Sequence, residues 1–217
     1  DIGTISTGDS YSSFTDFTAT TIGTGTLQAD TSIFQDQTGI ITVLGGALSY
    51  LLVRDGANGG GSEIGDLTMT TDETLILYAA GYDADDNYLS DVDGSWSVTG
   101  SLDEVPSSGS SIEFAPSTSS TSGTIVASIA EATSDATGTI TVGTGVLDQI
   151  MIRDAASGGG SEVDALSLTT DETLTMYMAG YDQDDNYIRD VNVQWSVQGD
   201  IGTISTGDSY SSFTDFT

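Results

Sequence analysis

Two clusters of acidic residues are the parts of this sequence best suited to chemistry. Each cluster places carboxylate or amide oxygens at relative positions 1, 3, 5 and 9, and the two sets are Asp83, Asp85, Asn87 and Asp91, and Asp182, Asp184, Asn186 and Asp190. Oxygen ligands at this kind of spacing are typical of loops that bind calcium. An EF-hand loop is excluded, because it requires glycine at position 6 and glutamate at position 12.

The residues that occupy those two positions are Tyr88 and Gly94 in the first cluster, and Tyr187 and Val193 in the second. Two interpretations stay open. One is a looser calcium site, since clustered carboxylates attract hard cations. The other is a hydrogen-bonded Asx turn between two strands, because Asp and Asn side chains bond their own backbone and tolerate left-handed conformations.

The residues around each cluster predict the strands that position it. Leu174, Met176 and Met178 alternate with polar residues before the second cluster. Apolar residues at every second position have their side chains on the same face of a sheet. The same block occurs 99 residues earlier, so the chain carries two copies of a strand, an acidic turn and a strand. Trp96 and Trp195 lie on the face of the second strand that is expected to point inwards. This predicts that they are core residues rather than exposed rings on which sugars stack.

A glycine-rich loop precedes each block, and one of the three cations of the chain lies beside each of the two loops. The charged residues at these loops are Arg54, Asp55 and Glu63 in one copy and Arg153, Asp154 and Glu162 in the other. One interpretation is that the loops make inter-domain or inter-strand contacts, with each arginine paired to a carboxylate. The alternative is a flexible tip with a solvated charge.

Charge and composition exclude several classes of function. The 217 residues carry a net charge of −30 and include no histidine, cysteine or lysine. A surface of this sign repels phosphate backbones, which argues against nucleic-acid binding, and no apolar run in this segment is long enough for membrane insertion. No disulfide or thiolate metal site can form. Acid–base or nucleophilic catalysis would rest on Asp, Glu, Ser or Tyr alone, and no catalytic set emerges, so the chain is not expected to be an enzyme. No cofactor is indicated apart from the calcium considered above.

A second level of repetition indicates a tandem array. Residues 1–18 recur without change at 200–217, which suggests a repeat of 199 residues made of two related domains. This repeat divides the chain into three segments. The head segment, 1–43, is expected to be the C-terminal part of one domain, and the middle segment, 44–142, a complete domain. The tail segment, 143–217, is expected to be the N-terminal part of a third domain, completed by the equivalent of 19–43 from a neighbouring copy. In this alignment Phe14 corresponds to Phe114.

Nearly the whole chain resembles bacterial immunoglobulin-like repeats of the invasin and intimin type (Big domains). The resemblance rests on the stretch from Gly81 to Val98 and on the later runs at 123–127 and 138–142. It implies an all-β fold of tandem immunoglobulin-like Greek-key β-sandwiches with the tryptophan in a central strand. The glycine-rich loop after the first strand departs from the family pattern.

The combined expectation is a structural protein outside the cell or at its surface. The chain would be a subunit or part of an extracellular filament or stalk, whose partners are head-to-tail neighbours of the same kind and whose acidic surface is neutralised by salt or calcium. An adhesin region that binds a glycan or a cell-surface protein is the alternative. Separate subunits joined by strand donation are a further variant, but residues 1–18 and 200–217 would then compete for one place.

Overall fold

The computed structural model describes residues 1–7, 11–207 and 210–217, and the remaining positions of the two identical stretches lie outside the described residues. All regular elements in this part of the chain are β-strands, which confirms the all-β prediction. None of the described residues forms a helix that could span a membrane.

The head segment contains six short strands: β1 (Gly3–Ile5), β2 (Phe17–Ala19), β3 (Gly23–Gly25), β4 (Gln28–Asp30), β5 (Gln35–Gln37) and β6 (Ile41–Val43). They form three separate antiparallel pairs, β1 with β2, β3 with β6, and β4 with β5. Because these pairs share no closed core, several large apolar side chains of the segment are exposed, among them Ile33 and Phe34.

The middle segment contains eleven strands: β7 (Tyr50–Arg54), β8 (Leu67–Thr70), β9 (Leu75–Tyr82), β10 (Tyr88–Asp91), β11 (Gly94–Val98), β12 (Ser108–Gly109), β13 (Ser111–Phe114), β14 (Thr121–Gly123), β15 (Ile125–Ser128), β16 (Asp135–Ala136) and β17 (Ile140–Gly143). The long strand β9 pairs with β7, β10 and β13. A second layer consists of β12, β11, β15 and β16, and of β14, β17 and β8, in which β8 and β17 run parallel.

The core of the middle segment lies between these two layers. It is built from alternate residues of the strands, such as Leu51 and Val53 of β7 and Ile140 and Val142 of β17, all of which are fully buried. Trp96 is also buried there, which confirms the prediction, made from its position in the alternating pattern, that it belongs to the core. Two layers that share one apolar interior are consistent with a β-sandwich.

The tail segment repeats the first layer. Its strands are β18 (Gln149–Arg153), β19 (Leu174–Tyr181), β20 (Tyr187–Asp190), β21 (Val193–Gln194), β22 (Tyr210–Ser211) and β23 (Phe213–Phe216). β19 pairs with β18, β20 and β23 in the registers that β9 has with β7, β10 and β13. The second layer of this segment is represented by the short pair β21 and β22.

One alignment made from the sequence is wrong. Phe114 pairs with Leu75 in the middle segment, and Phe216 pairs with Leu174 in the tail. Phe216 is therefore the counterpart of Phe114, and its identical copy in the head is Phe17 rather than Phe14. The shift of three arises because the loop between the tryptophan strand and this strand is three residues longer in the tail than in the middle segment, an insertion that costs little in a loop.

Candidate functional site

Each acidic cluster forms a tight turn that is closed by its first aspartate. Oδ1 of Asp83 accepts hydrogen bonds from the backbone N–H of Asp85 at 3.0 Å and of Asn87 at 2.9 Å. Asp86 adopts a left-handed conformation with φ of 63°, which Asp tolerates because its side chain can bond locally. The second cluster has the same geometry, with φ of 64° at Asp185.

The second turn is also the point at which the tail segment contacts the middle segment. We call this contact the middle–tail junction. Oδ2 of Asp182 accepts hydrogen bonds from the hydroxyl of Thr71 and from the backbone N–H of Gly145, both at 2.9 Å. The amide of Asn186 donates to the carbonyl of Ser117 at 2.9 Å and accepts from the N–H of Ser119 at 3.0 Å. A single turn therefore binds the connection between the two segments, at Gly145, and two loops of the middle segment, at Thr71 and at 117–119.

The first turn makes an equivalent contact with the head segment, the head–middle junction. Oδ2 of Asp83 accepts a hydrogen bond from the N–H of Gly46 at 2.9 Å. The amide of Asn87 donates to the carbonyl of Thr20 at 3.0 Å and accepts from the N–H of Ile22 at 3.3 Å. The aspartate and the asparagine thus make corresponding contacts at two successive junctions, and the hydroxyl of Thr71 is an additional donor at the second.

Each turn is further held to the first strand of its own segment. The hydroxyl of Tyr50 donates to Oδ1 of Asp86 at 2.7 Å, and this hydrogen bond to a carboxylate raises the pKa of Tyr50 to about 12. In the tail the amide of Gln149 donates to Asp185 at the equivalent place. The junction turn is consequently connected to the sheet that carries it.

The first aspartate of each turn is buried, with 3% of Asp83 and none of Asp182 exposed. Hydrogen bonds from the Gly46 and Asn87 N–H groups hold the pKa of Asp83 at about 2, although burial opposes ionisation. Burial also opposes the ionisation of Asp182, but the hydrogen bonds from Gly145, Asn186 and Thr71 outweigh it and lower the pKa of this carboxyl. Both carboxylates are stabilised as anions by N–H and O–H donors, which favour the charged form.

We expect the head–middle junction to weaken in acid. The pKa of Asp83 in the folded chain, about 2, is lower than its ordinary value of 3.8. Its contribution to stability is therefore fully present above about pH 4 and is lost as the pH falls through about 2. The carboxyl ¹³C shift of Asp83 should titrate with a midpoint near 2. Gly46→Pro, which removes the strongest donor, should move that midpoint upwards, and a midpoint near 3.8 in the unchanged chain would contradict the assignment.

The remaining predicted calcium ligands point elsewhere. The carboxylate of Asp91 accepts hydrogen bonds from the N–H of Asn58 and the hydroxyl of Tyr88, and Asp190 binds Ser157 and Tyr187 in the same way. Asp85 and Asp184 are exposed. Among the described residues no group of three or more carboxylates is arranged to hold a metal ion. The geometry favours the Asx turn over the calcium loop.

A chelation experiment tests the calcium hypothesis directly. Because N–H and O–H donors already occupy both oxygens of Asp83 and Asp182, we expect the melting temperature at low salt to be the same with and without a calcium chelator. A lower melting temperature in chelator, restored by added calcium, would establish a cation site at these turns.

The charged residues of the glycine-rich loops make their contacts within the loops. The guanidinium of Arg54 donates to the carbonyls of Gly60 at 2.9 Å and Gly61 at 2.6 Å. Asp55 accepts from the N–H of Ser62, and Glu63 forms a backbone bridge with Arg54. Arg153, Asp154 and Glu162 repeat this arrangement. Contacts between these loops and a neighbouring molecule stay a prediction.

The loop is packed on the tyrosine of its own acidic turn. Gly59, with φ of 67°, lies so close to the ring of Tyr88 that a Cβ there would be 2.7 Å from Cδ2, and Gly158 contacts Tyr187 in the same way. These positions require glycine both for the left-handed backbone and for the close approach.

The partners of the two turns were not predicted from the sequence. Gly46 and Gly145 could have been found, since they recur 99 residues apart, as do Asp83 and Asp182. Of the other partners, Thr71 contributes its hydroxyl, and Thr20, Ile22, Ser117 and Ser119 contribute backbone atoms. They carry no pattern that marks them.

Comparisons with known proteins leave the family open. No protein-family model matches the chain, and no curated protein matches it. In a search of solved structures, the chain is similar to "Structure of surface layer protein SbsC, domains 4-9", with 14% sequence identity and a TM-score of 0.30. The similarity covers 94% of this chain and 32% of that one, so this chain spans about a third of the length of the solved protein.

Proposed function

We propose that this chain is a repeat of an extracellular filament or stalk built from tandem immunoglobulin-like β-sandwiches. Its role is mechanical: each domain is held against the next, so that the array resists bending. The observation that carries the proposal is the recurrence of the same hydrogen-bonded turn at two successive junctions, with Asp83 and Asn87 at one and Asp182 and Asn186 at the other.

The strand pairings of the middle segment support the immunoglobulin-like part of the proposal. In such sandwiches the first, second, fifth and fourth strands form one sheet and the third, sixth and seventh the other. The middle segment pairs β7 and β13 with β9, and β15 with β11. The parallel pair of β8 and β17 joins the beginning of the segment to its end.

The junctions support stiffness because they leave little free chain. Only 144–148 separate β17 from β18, and within them the N–H of Gly145 and of Val146 are bound by Asp182 and Asp72. A connection fixed at both ends restricts bending far more than a flexible linker of the same length. A net charge of −30 adds self-repulsion, which an elongated array spreads over a longer surface.

Distance measurements between spin labels test the proposal. The chain contains no cysteine, so Ser97→Cys in β11 and Arg189→Cys in β20 would place one label on each side of the middle–tail junction. We expect a single narrow distance distribution. A matched variant with Gly-Ser-Gly-Ser inserted after Gly143 should give a broad one. If the uninserted chain is as broad as this variant, the domains move independently and the stalk proposal fails.

An adhesive role is the second candidate, and one feature favours it. Tyr11 and Phe34 are 90% and 74% exposed and line the same shallow groove of the head segment, beside Asp30 and Thr31. Exposed aromatic rings beside polar groups are typical of glycan-binding surfaces. Binding to a glycan array that is abolished by Tyr11→Ser and Phe34→Ser would support adhesion, and the absence of any bound glycan would count against it.

A further inference from the structure

The tail segment presents an open apolar face. A cavity of about 720 Å³ lies against it, lined chiefly by Leu166, Leu168, Trp195, Val197, Ile201 and Phe216. Leu166 is 49% and Ile201 70% exposed. An apolar surface of this kind is unfavourable in water and indicates a binding surface.

The middle segment shows what covers the equivalent face. Leu67 and Met69, which lie 99 residues before Leu166 and Leu168, pair with Ile140 and Val142 of the parallel strand β17. The strand of Trp96 pairs with β15 along its length. Because β15 and β17 close the second layer, Met69 is buried and Ile140 is inaccessible to solvent.

Within the described residues of the tail, one strand is absent and another is shorter where these partners would bind. Residues 166–169 lie outside any strand, whereas their counterparts form β8, Leu67–Thr70. Likewise β21 ends at Gln194, whereas β11 continues to Val98. A strand that has no hydrogen-bonding partner loses the ladder that defines it, so both differences have one cause.

The head segment has the strands that would fit this face. β3 and β6 pair Gly25 with Ile41, in the register in which β14 and β17 pair Gly123 with Ile140. The β4–β5 pair opposes Ala29 and Asp36 just as the β15–β16 pair opposes Ala127 and Asp135. The apolar residues of this unit, such as Ile41 and Val43, are only partly buried in the head, whereas Ile140 and Val142 are completely buried in the middle segment.

We propose that the apolar face of the tail segment binds residues 23–43 of a second copy of this chain. Ile41 and Val43 of the incoming strand lie parallel to Leu166 and Leu168, as Ile140 and Val142 lie beside Leu67 and Met69. Asp36 accepts a hydrogen bond from the N–H of Ile152, as Asp135 accepts one from Val53 at 2.7 Å. This inference rests on the proposed function, and it names the partner that joins one repeat to the next.

The identical sequences of residues 1–18 and 200–217 keep the free-energy cost of this exchange low. In the head, Ile2 lies over Gly23 and Gly25. Its identical counterpart in the tail is Ile201, which is largely exposed. When the incoming unit binds, Ile201 takes the place of Ile2 on the same two glycines. Exchanging one element for an identical one conserves the contacts, which is the basis of domain swapping.

A cysteine pair tests the proposed register. Val43→Cys and Leu168→Cys would face each other across the joint, because their counterparts Val142 and Met69 are direct neighbours in the β8–β17 ladder, a geometry that a disulfide can bridge. Under mild oxidation we expect a ladder of head-to-tail oligomers on a non-reducing gel. The matched control Thr42→Cys with Leu168→Cys places one thiol on the opposite face and should remain monomeric.

A chain extended by a second copy of residues 19–43 after Thr217 is the second control. It should occupy its own apolar face, so that the Val43→Cys and Leu168→Cys pair no longer forms a ladder. Absence of the ladder in the unextended chain, an equal ladder in the Thr42→Cys control, or a ladder that survives the extension would each overturn the inference. In those cases a narrow distribution of spin-label distances across the middle–tail junction would still support the stiff repeat. The two experiments therefore test the two proposals independently.

Discussion

Replacing Asp182 by alanine is expected to detach the tail segment from the middle segment. The carboxylate has no exposed surface and accepts hydrogen bonds from five donor groups, which belong to Thr71, Gly145, Asp184 and, twice, Asn186. Alanine leaves these donors without an acceptor, and unsatisfied buried donors are more costly than a lost hydrogen bond. We expect a loss of roughly 3 kcal/mol in the free energy of unfolding of the tail, measured by urea denaturation.

Asp184→Ala is the matched control for this substitution. Asp184 lies two residues away in the same turn and carries the same charge, but it is exposed, so its replacement should change stability by less than about 0.5 kcal/mol. If the two alanine variants were equally destabilised, charge or a bound cation would determine the stability of the turn, and the hydrogen-bonded junction would be contradicted. Spin labels across the junction should also report a broad distribution for Asp182→Ala alone.

The features with a local cause could be predicted from the sequence. Apolar residues at every second position of β7 and β17 indicate which side chains belong to the core, because successive side chains of a strand point to opposite faces. The left-handed residue of each turn follows from the tolerance of Asp for that conformation. The same alternation predicts first strands at 48–53 and 147–152, whereas the strands begin two residues later, at Tyr50 and Gln149, and extend one residue further. Arg54 and Arg153 remain in the ladder because each pairs with a tyrosine of the central strand.

The choice between calcium and an Asx turn could not be made from spacing. Oxygen-bearing side chains at alternate positions could bind a cation. The same spacing also occurs in an Asx turn, in which the first carboxylate accepts hydrogen bonds from the N–H groups two and four residues later. The deciding donors are remote in sequence: Gly46 lies 37 residues before Asp83, and Thr71 lies 111 residues before Asp182. The recurrence of Gly46 and Gly145 marks two positions, but neither a backbone N–H nor the hydroxyl of Thr71 indicates its partner, so the junction became apparent only from the fold.

The glycine-rich loops show a similar limit. Two arginines among so many acids suggested pairing with carboxylates, but Arg54 binds two carbonyl groups of its own loop. The backbone of Arg54 is fixed by its pairing with Tyr78 of the central strand. The guanidinium donors are therefore used by carbonyl groups, while the carboxylate of Asp55 accepts a hydrogen bond from the N–H of Ser62 instead.

Replacing Phe114 by alanine should unfold the middle segment under conditions in which the tail tolerates the equivalent change. Phe114 is 1% exposed and belongs to the closed core, so the substitution should cost about 3–5 kcal/mol through lost burial and a residual cavity. Phe216 occupies the same register but faces the open apolar surface and is only partly buried. Phe216→Ala should therefore cost clearly less in the chain as it stands.

The two tryptophans allow these costs to be measured separately, since Trp96 reports on the middle segment and Trp195 on the tail. Urea unfolding followed by fluorescence in Trp96→Phe and Trp195→Phe backgrounds would give both values. In the chain extended by a second copy of 19–43, the cost of Phe216→Ala should rise towards that of Phe114→Ala, because closing the second layer buries the phenylalanine. If the cost is the same with and without the extension, the open face is not where this segment binds.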